Sequence, residues 1–138
     1  MKLAPLLFVI IAGWAAACER SLPNEPVPIV WDREVCGHCH MAIGEPRFAA
    51  QLVTIDGVVT NFDDVGCMLR FIRERAPNIH RAWFHGEGSS WISADQVAFV
   101  RTKVSPMGSS LKAVPAGTPG AVSLEDVRVE VLSSGGHP

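Results

Sequence analysis

The residues with the greatest chemical capacity lie together in Cys36-Gly37-His38-Cys39-His40-Met41. Thiols, imidazoles and a thioether in one short segment can serve metal coordination, covalent cofactor attachment or thiol redox chemistry. A thioether binds zinc or magnesium poorly. It binds Cu(I) well, because that soft ion prefers sulfur to oxygen. Cys39 and Met41, separated by His40 alone, fall on the same side of an extended segment and can converge on one ion. The same residues also satisfy the C-x-x-C-H spelling of covalent c-type haem, with His40 as proximal ligand and a remote methionine such as Met107 as distal ligand. Cys36, His38, Cys39 and His40 would furnish a tetrahedral zinc site. Cys36 and Cys39 alone could form a disulfide or the active pair of a thiol-disulfide oxidoreductase.

Context ranks these chemistries. A second ligand pair at zinc-ribbon or finger spacing is missing. Haem attachment motifs sit at helix ends in mostly helical proteins, whereas the approach here contains Pro23, Pro26 and Pro28. No strand-helix-strand pattern precedes the cysteine pair, as a thioredoxin-like domain would need. We therefore read the segment as a Cu(I) site in which Cys39 and Met41 take part, with Cys36 and His40 as further donors. Cys67 neighbours the apolar stripe of a predicted helix and reads as a buried structural thiol, and Met68 lies on that stripe as core. Asp63 and Asp64 read as helix caps. His80, His85 and His137 stand alone, and His85 is the one among them weighed as a metal donor. No nucleophile-base pair or phosphate-binding glycine loop is spelled, so the expectation is a binding protein and not an enzyme.

The elements around the segment must present it. The chain has 138 residues, 48% of them hydrophobic and 19% charged, enough apolar side chain for one compact core. Its formal net charge is −2, without a basic patch, which excludes a nucleic-acid partner on electrostatic grounds. Lys2 followed by an apolar run to Trp14 and then Ala15-Ala16-Ala17-Cys18 has the layout of a bacterial secretory signal over 1–17. Cys18 stands as the lipid-bearing residue, with Ala15 where a bulkier aliphatic is usual. Lipidation would hold the protein on a membrane surface without a spanning helix. Residues 18–29 read as lipidated cysteine and tether, 30–132 as the domain, and 133–138 as a tail. Setting Cys18 aside leaves Cys36, Cys39 and Cys67, an odd set for an exported chain, so at least one thiol is free, ligated or paired to another molecule.

Within the domain, Phe48 to Ile55 and Val58 to Phe62 read as strands joined at Asp56-Gly57. Val65, Met68, Leu69, Ile72 and Ala76 recur at helical spacing, and Pro77 ends the pattern. His80 to Phe84 reads as a strand and Gly86 to Ser90 as a turn. Ala94 to Phe99 reads as a short helix, Val100 to Val104 as a strand and 105–110 as a loop. Leu124 to Val127 is apolar and helix-compatible, and the alternation of Val127, Val129 and Val131 reads as a final strand. The order points to an α+β fold with small antiparallel pairings.

The cysteine pair running into C-x-M, the Asp-Gly hairpin and Phe62-Asp63-Asp64 opening a helix are accompanied downstream by Trp91-Ile92-Ser93-Ala94, Phe99-Val100 and Ser105-Pro106-Met107-Gly108. With the lipobox-like start, these resemble the NosL family, accessory lipoproteins of nitrous oxide reductase, over about residues 30 to 132. The resemblance implies two small ββαβ-type units with antiparallel strands, at about 30–85 and 90–132. It implies a periplasmic, membrane-anchored Cu(I) chaperone that serves reductase maturation with a membrane transporter complex and a periplasmic copper acceptor. By position, Cys39 and Met41 become the principal ligands and Met107 a third. His40 stands where the family commonly has glycine. The short ligand segment would also allow two protomers of a homodimer to share an ion.

Overall fold

The computed structural model describes residues 21–134. The leader and Cys18, and residues 135–138 of the tail, lie outside the described residues. The strand-turn-strand pattern around Asp56-Gly57 forms a hairpin from β1 (Ala50–Thr54) and β2 (Val59–Phe62). Asp64 then caps helix α1 (Val65–Arg75), its side chain accepting from the Gly66 N–H at 2.7 Å, as a short carboxylate does at a helix start. The helix stops at Ala76, which adopts a left-handed φ of 44°, directly before Pro77. β3 (Ile79–His85) returns against β1, and β4 (Trp91–Ser93) pairs with β3, giving an antiparallel sheet in the order β2-β1-β3-β4.

The second half forms a smaller antiparallel sheet, β6-β5-β7, from β5 (Val97–Arg101), β6 (Leu111–Pro115) and β7 (Val122–Ser123), followed by α2 (Leu124–Ser133). The architecture is the expected α+β one, two small antiparallel sheets with helices. Three local expectations change. The short helix over Ala94 to Phe99 is a turn leading into β5, because Val97, Ala98 and Phe99 are all buried as strand residues. β6 went unread. The final strand is a helix: Ser123 caps it through Asp126 N–H, Glu125 and Asp126 favour its first turn, and Val127 and Val131 bury one face while Val129 is 60% exposed.

Both sheets share one core. Phe84 of the first meets Phe99 of the second edge-to-face at 5.1 Å, and Leu52, Met68, Leu111 and Val127 fill in around them. β1 is covered on both faces, so even Gln51 is fully buried. Its amide is satisfied by Val27, whose N–H donates at 2.7 Å and whose carbonyl accepts at 2.8 Å, and by the Asn61 side chain at 2.7 Å. The described part of the expected tether is thus fastened to the sheet at Val27 and, through Asn24 and His80, further back. Asn61 in turn donates to Glu34 at 2.5 Å, which ties the sheet to the segment carrying the cysteines. Among the described residues no helix is long and apolar enough to cross a membrane.

Candidate metal centre

Cys36 to Met41 forms a tight loop closed by a bridge between Val35 and Ala42. The Cys36 N–H donates to the Met41 carbonyl at 2.8 Å, and the His40 N–H donates back to Cys36 at 3.0 Å. The loop lies flat on the end of β2, where the Gly37 N–H donates to Asn61 at 2.8 Å. A Cβ at Gly37 would stand 2.3 Å from the Thr60 methyl, so only glycine permits this approach. Closing the loop requires His40 to take a left-handed φ of 62°. That explains why a glycine-like position carries a residue here that tolerates the left-handed region better than most.

This placement buries Cys36 completely beneath the loop and leaves Cys39 partly exposed. It also brings both against Cys67, in the first turn of α1. The sulfurs of Cys36, Cys39 and Cys67 all lie within 4.8 Å of one another, and all are free thiols. Among the described residues no histidine nitrogen or carboxylate oxygen joins the cluster. The sequence ranked Cys67 as a core thiol. It is fully buried, yet it is the residue that turns a cysteine pair into a three-sulfur nest. Met68 is a core residue, as its place on the stripe indicated.

The nest is poised to hold negative charge unevenly. Cys36 is lowered from the ordinary thiol value to about 5, chiefly because the Cys67 thiol donates a hydrogen bond to it, with backbone groups of Asp63, Cys39 and His38 adding to the effect. Cys67, the donor in that bond and buried besides, is pushed well above the ordinary range. Burial raises Cys39, and its neighbour Cys36 adds to this. Asp63 is pushed up to about 6 by burial and then by the Cys36 and Asp64 charges. The N-terminal end of α1 supplies partial positive charge to a thiolate at this place. Three thiols so placed suit a soft metal cation, which can displace their protons as it gains ligands.

A cleft of about 630 Å³ opens beside the nest. Cys39 and Cys67 form its floor with His38, and Arg70, Met107 and Ser134 stand around it. Met107 is half-buried, packed against the core on the loop between β5 and β6. Asp64 reaches that loop, accepting from the Ser105 hydroxyl at 2.6 Å and from the Met107 N–H at 3.2 Å. The structure therefore gathers Cys36, Cys39 and Cys67, and it places Met107 on the wall of the cleft that Cys39 and Cys67 also line. Met41, 56% exposed, and His40, also exposed, follow Cys39 in the loop and line no part of the cleft. His85 lies elsewhere, buried between the edges of Trp31 and Trp91 with its Nδ1 at 3.1 Å from the Gly86 carbonyl. Of the residues in the haem spelling, Cys36 is sealed in the core and His40 lies on the surface, and neither lines the cleft. The described sheets pair only antiparallel, unlike a thioredoxin-like βαβ frame.

No family model and no curated protein matches the sequence. Among solved structures, the copper chaperone NosL from Shewanella denitrificans is similar, with 17% sequence identity, 81% of this chain and 89% of that chain covered, and a TM-score of 0.54. The chain has a NosL-like fold, and that fold carries three cysteines able to hold a metal ion.

Proposed function

We propose that this protein is a Cu(I) metallochaperone of the NosL type that works in the periplasm, anchored to the membrane by lipid on Cys18, and passes copper toward maturing nitrous oxide reductase. It does no catalysis of its own. The observation that carries the copper reading is the three-sulfur nest of Cys36, Cys39 and Cys67, with sulfurs within 4.8 Å and, among the described residues, no histidine nitrogen or carboxylate oxygen in the cluster. Three thiolates favour soft ions, and low-coordinate sulfur binding is what Cu(I) accepts more readily than zinc does. The likeness to a copper chaperone of the same fold supports this reading, and the resemblance in motifs supports the recipient.

The geometry suits transfer as well as binding. Cys36 and Cys67 are deep, Cys39 is at the edge, and Met107 lines the same cleft as Cys39 and Cys67. Met41 is the most exposed methionine among the described residues and gives an incoming partner a thioether to meet. Copper would enter and leave by exchanging sulfur ligands at that edge, without unfolding the core. The test is a competition between the reduced protein and a coloured Cu(I) chelator, under anaerobic conditions. The expected result is one Cu(I) per chain, lost when Cys39→Ala is introduced. Equal binding by wild type and Cys39→Ala would reject the assignment.

A further inference from the structure

The loop that brings Met107 to the cleft has little structure of its own. Its internal backbone-to-backbone closures are Thr102 N–H to the Ser110 carbonyl at 2.9 Å and Gly108 N–H to the Ser105 carbonyl at 3.2 Å, with the Thr102 hydroxyl donating to the Val104 carbonyl at 3.1 Å. Ser110, though not glycine, takes a left-handed φ of 56°, a conformation that something else must hold. The hydrogen bonds that tie the loop to the rest of the molecule run to Asp64. That carboxylate is fully buried and uses both oxygens: Oδ1 accepts from Gly66 N–H, while Oδ2 accepts from the Ser105 hydroxyl and Met107 N–H. Ser105 passes the restraint on, since its hydroxyl oxygen accepts from Ser110 N–H at 2.8 Å.

We infer that Asp64 is a positioning residue for copper. It caps the helix that presents Cys67 and, with its other oxygen, latches the Met107 loop over the thiols, so that sulfur donors from the two halves of the chain form one site. This inference rests on the Cu(I) reading proposed above and adds to it how the thioether is held and where it can be released. Helix capping uses Oδ1 alone. The second oxygen is spent on a loop 41 and 43 positions away, at Ser105 and Met107.

Asp64→Ser tests this directly, because serine caps a helix as well as aspartate but is too short to reach the loop. Asp64→Asn is the second variant, keeping a cap acceptor while able to turn an N–H toward the Met107 N–H. Cu(I) affinity is measured by chelator competition in wild type, Asp64→Ser, Met107→Ala and the double variant. The expected outcome is an affinity loss of about 10- to 100-fold for Asp64→Ser, the usual effect of removing a group that orients a ligand. Met107→Ala should lose a similar factor, and the double variant should be no worse than Met107→Ala. In the apo protein, the Met107 methyl resonance should sharpen toward that of a free chain in both Asp64 variants. Undiminished affinity in Asp64→Ser, or a further loss when it is added to Met107→Ala, would overturn the latch while leaving the copper reading intact. Absence of Cu(I) binding in wild type would overturn both.

Discussion

The Met107 N–H donates to the Asp64 carboxylate over 3.2 Å and 43 positions of sequence. Through that bond the start of α1 and the loop before β6 are joined at one cleft, which Cys67 and Met107 both line. The three thiols need no such bridge: two come from one short loop, and the third from α1, the helix that follows the strand β2 against which the loop lies.

Cys67 is the first place to test the nest. Cys67→Ala removes a buried sulfur with little change in volume, so the fold should lose only about 1 kcal/mol in a denaturant titration. Cu(I) affinity should fall at least about tenfold, the equivalent of 1.4 kcal/mol. Met68→Ala should show the reverse pattern, with a stability loss of about 2–5 kcal/mol and a Cu(I) affinity near that of wild type.

The apo protein should gain stability as pH rises from about 5 toward 9. Cys36 is depressed to about 5 in the fold from an ordinary 9.0, so the unfolded chain binds the extra proton across that window. Its contribution is complete above the unfolded value and is lost as pH falls through the folded one. The slope for one proton is at most about 1.4 kcal/mol per pH unit. Asp63 works in the opposite sense: raised to about 6 from 3.8, it stabilises below the unfolded value and that contribution is lost as pH rises through 6. Denaturant midpoints from pH 4 to 9 should therefore show the rise chiefly above pH 6, and Cys36→Ser should flatten it. A rise of the same slope in Cys36→Ser would contradict the thiolate assignment.

His40→Gly should stabilise the protein. The residue holds a left-handed φ of 62° with an exposed side chain, a conformation that costs a non-glycine residue roughly 1 kcal/mol or more. Part of the gain is offset by the freer unfolded chain, leaving an increase of up to about 1 kcal/mol. Cu(I) affinity should change little, and a large loss would instead make the imidazole a ligand.

Gly66→Ala separates helix propensity from the close approach of the loop. Within a helix alanine is better than glycine by about 1 kcal/mol. Here the added Cβ would sit 2.9 Å from the Ser109 Cβ, so the loop must move. Overpacking of this kind costs about 1–3 kcal/mol. A lowered melting temperature together with weaker Cu(I) binding is expected, whereas a raised melting temperature would show that the loop yields freely.

The local rules of the chain were readable where one short-range pattern dominated. Asp56-Gly57 spelled a hairpin, and the stripe from Val65 to Ile72 spelled α1, with Asn61, Asp63 and Asp64 all open as its cap until the structure gives Asp64. Val127, Val129 and Val131 misled because alternation over so few residues looks like a strand, although Val127 and Val131 are also one helical turn apart. β6 was hidden by its lysine, its alanine and its terminal proline. The cysteine loop announced a soft metal through its residue types, and the Ser-Pro-Met-Gly loop was marked by its resemblance to a family motif. What could not be read was the partner for each. Cys67 lies beside the helix's apolar stripe, and only the packing of α1 beneath the Cys36 loop turns a core-like thiol into part of a cluster. Long-range side-chain bonds such as Asp64 to Ser105 leave no periodic trace in a single sequence.

The most direct test of the central claim is X-ray absorption at the copper edge of the reduced, Cu(I)-loaded protein. The account predicts a copper shell of sulfur alone, which loses one scatterer in Cys67→Ala while the remaining donors stay sulfur. A shell dominated by nitrogen or oxygen, or one unchanged by Cys67→Ala, would contradict it.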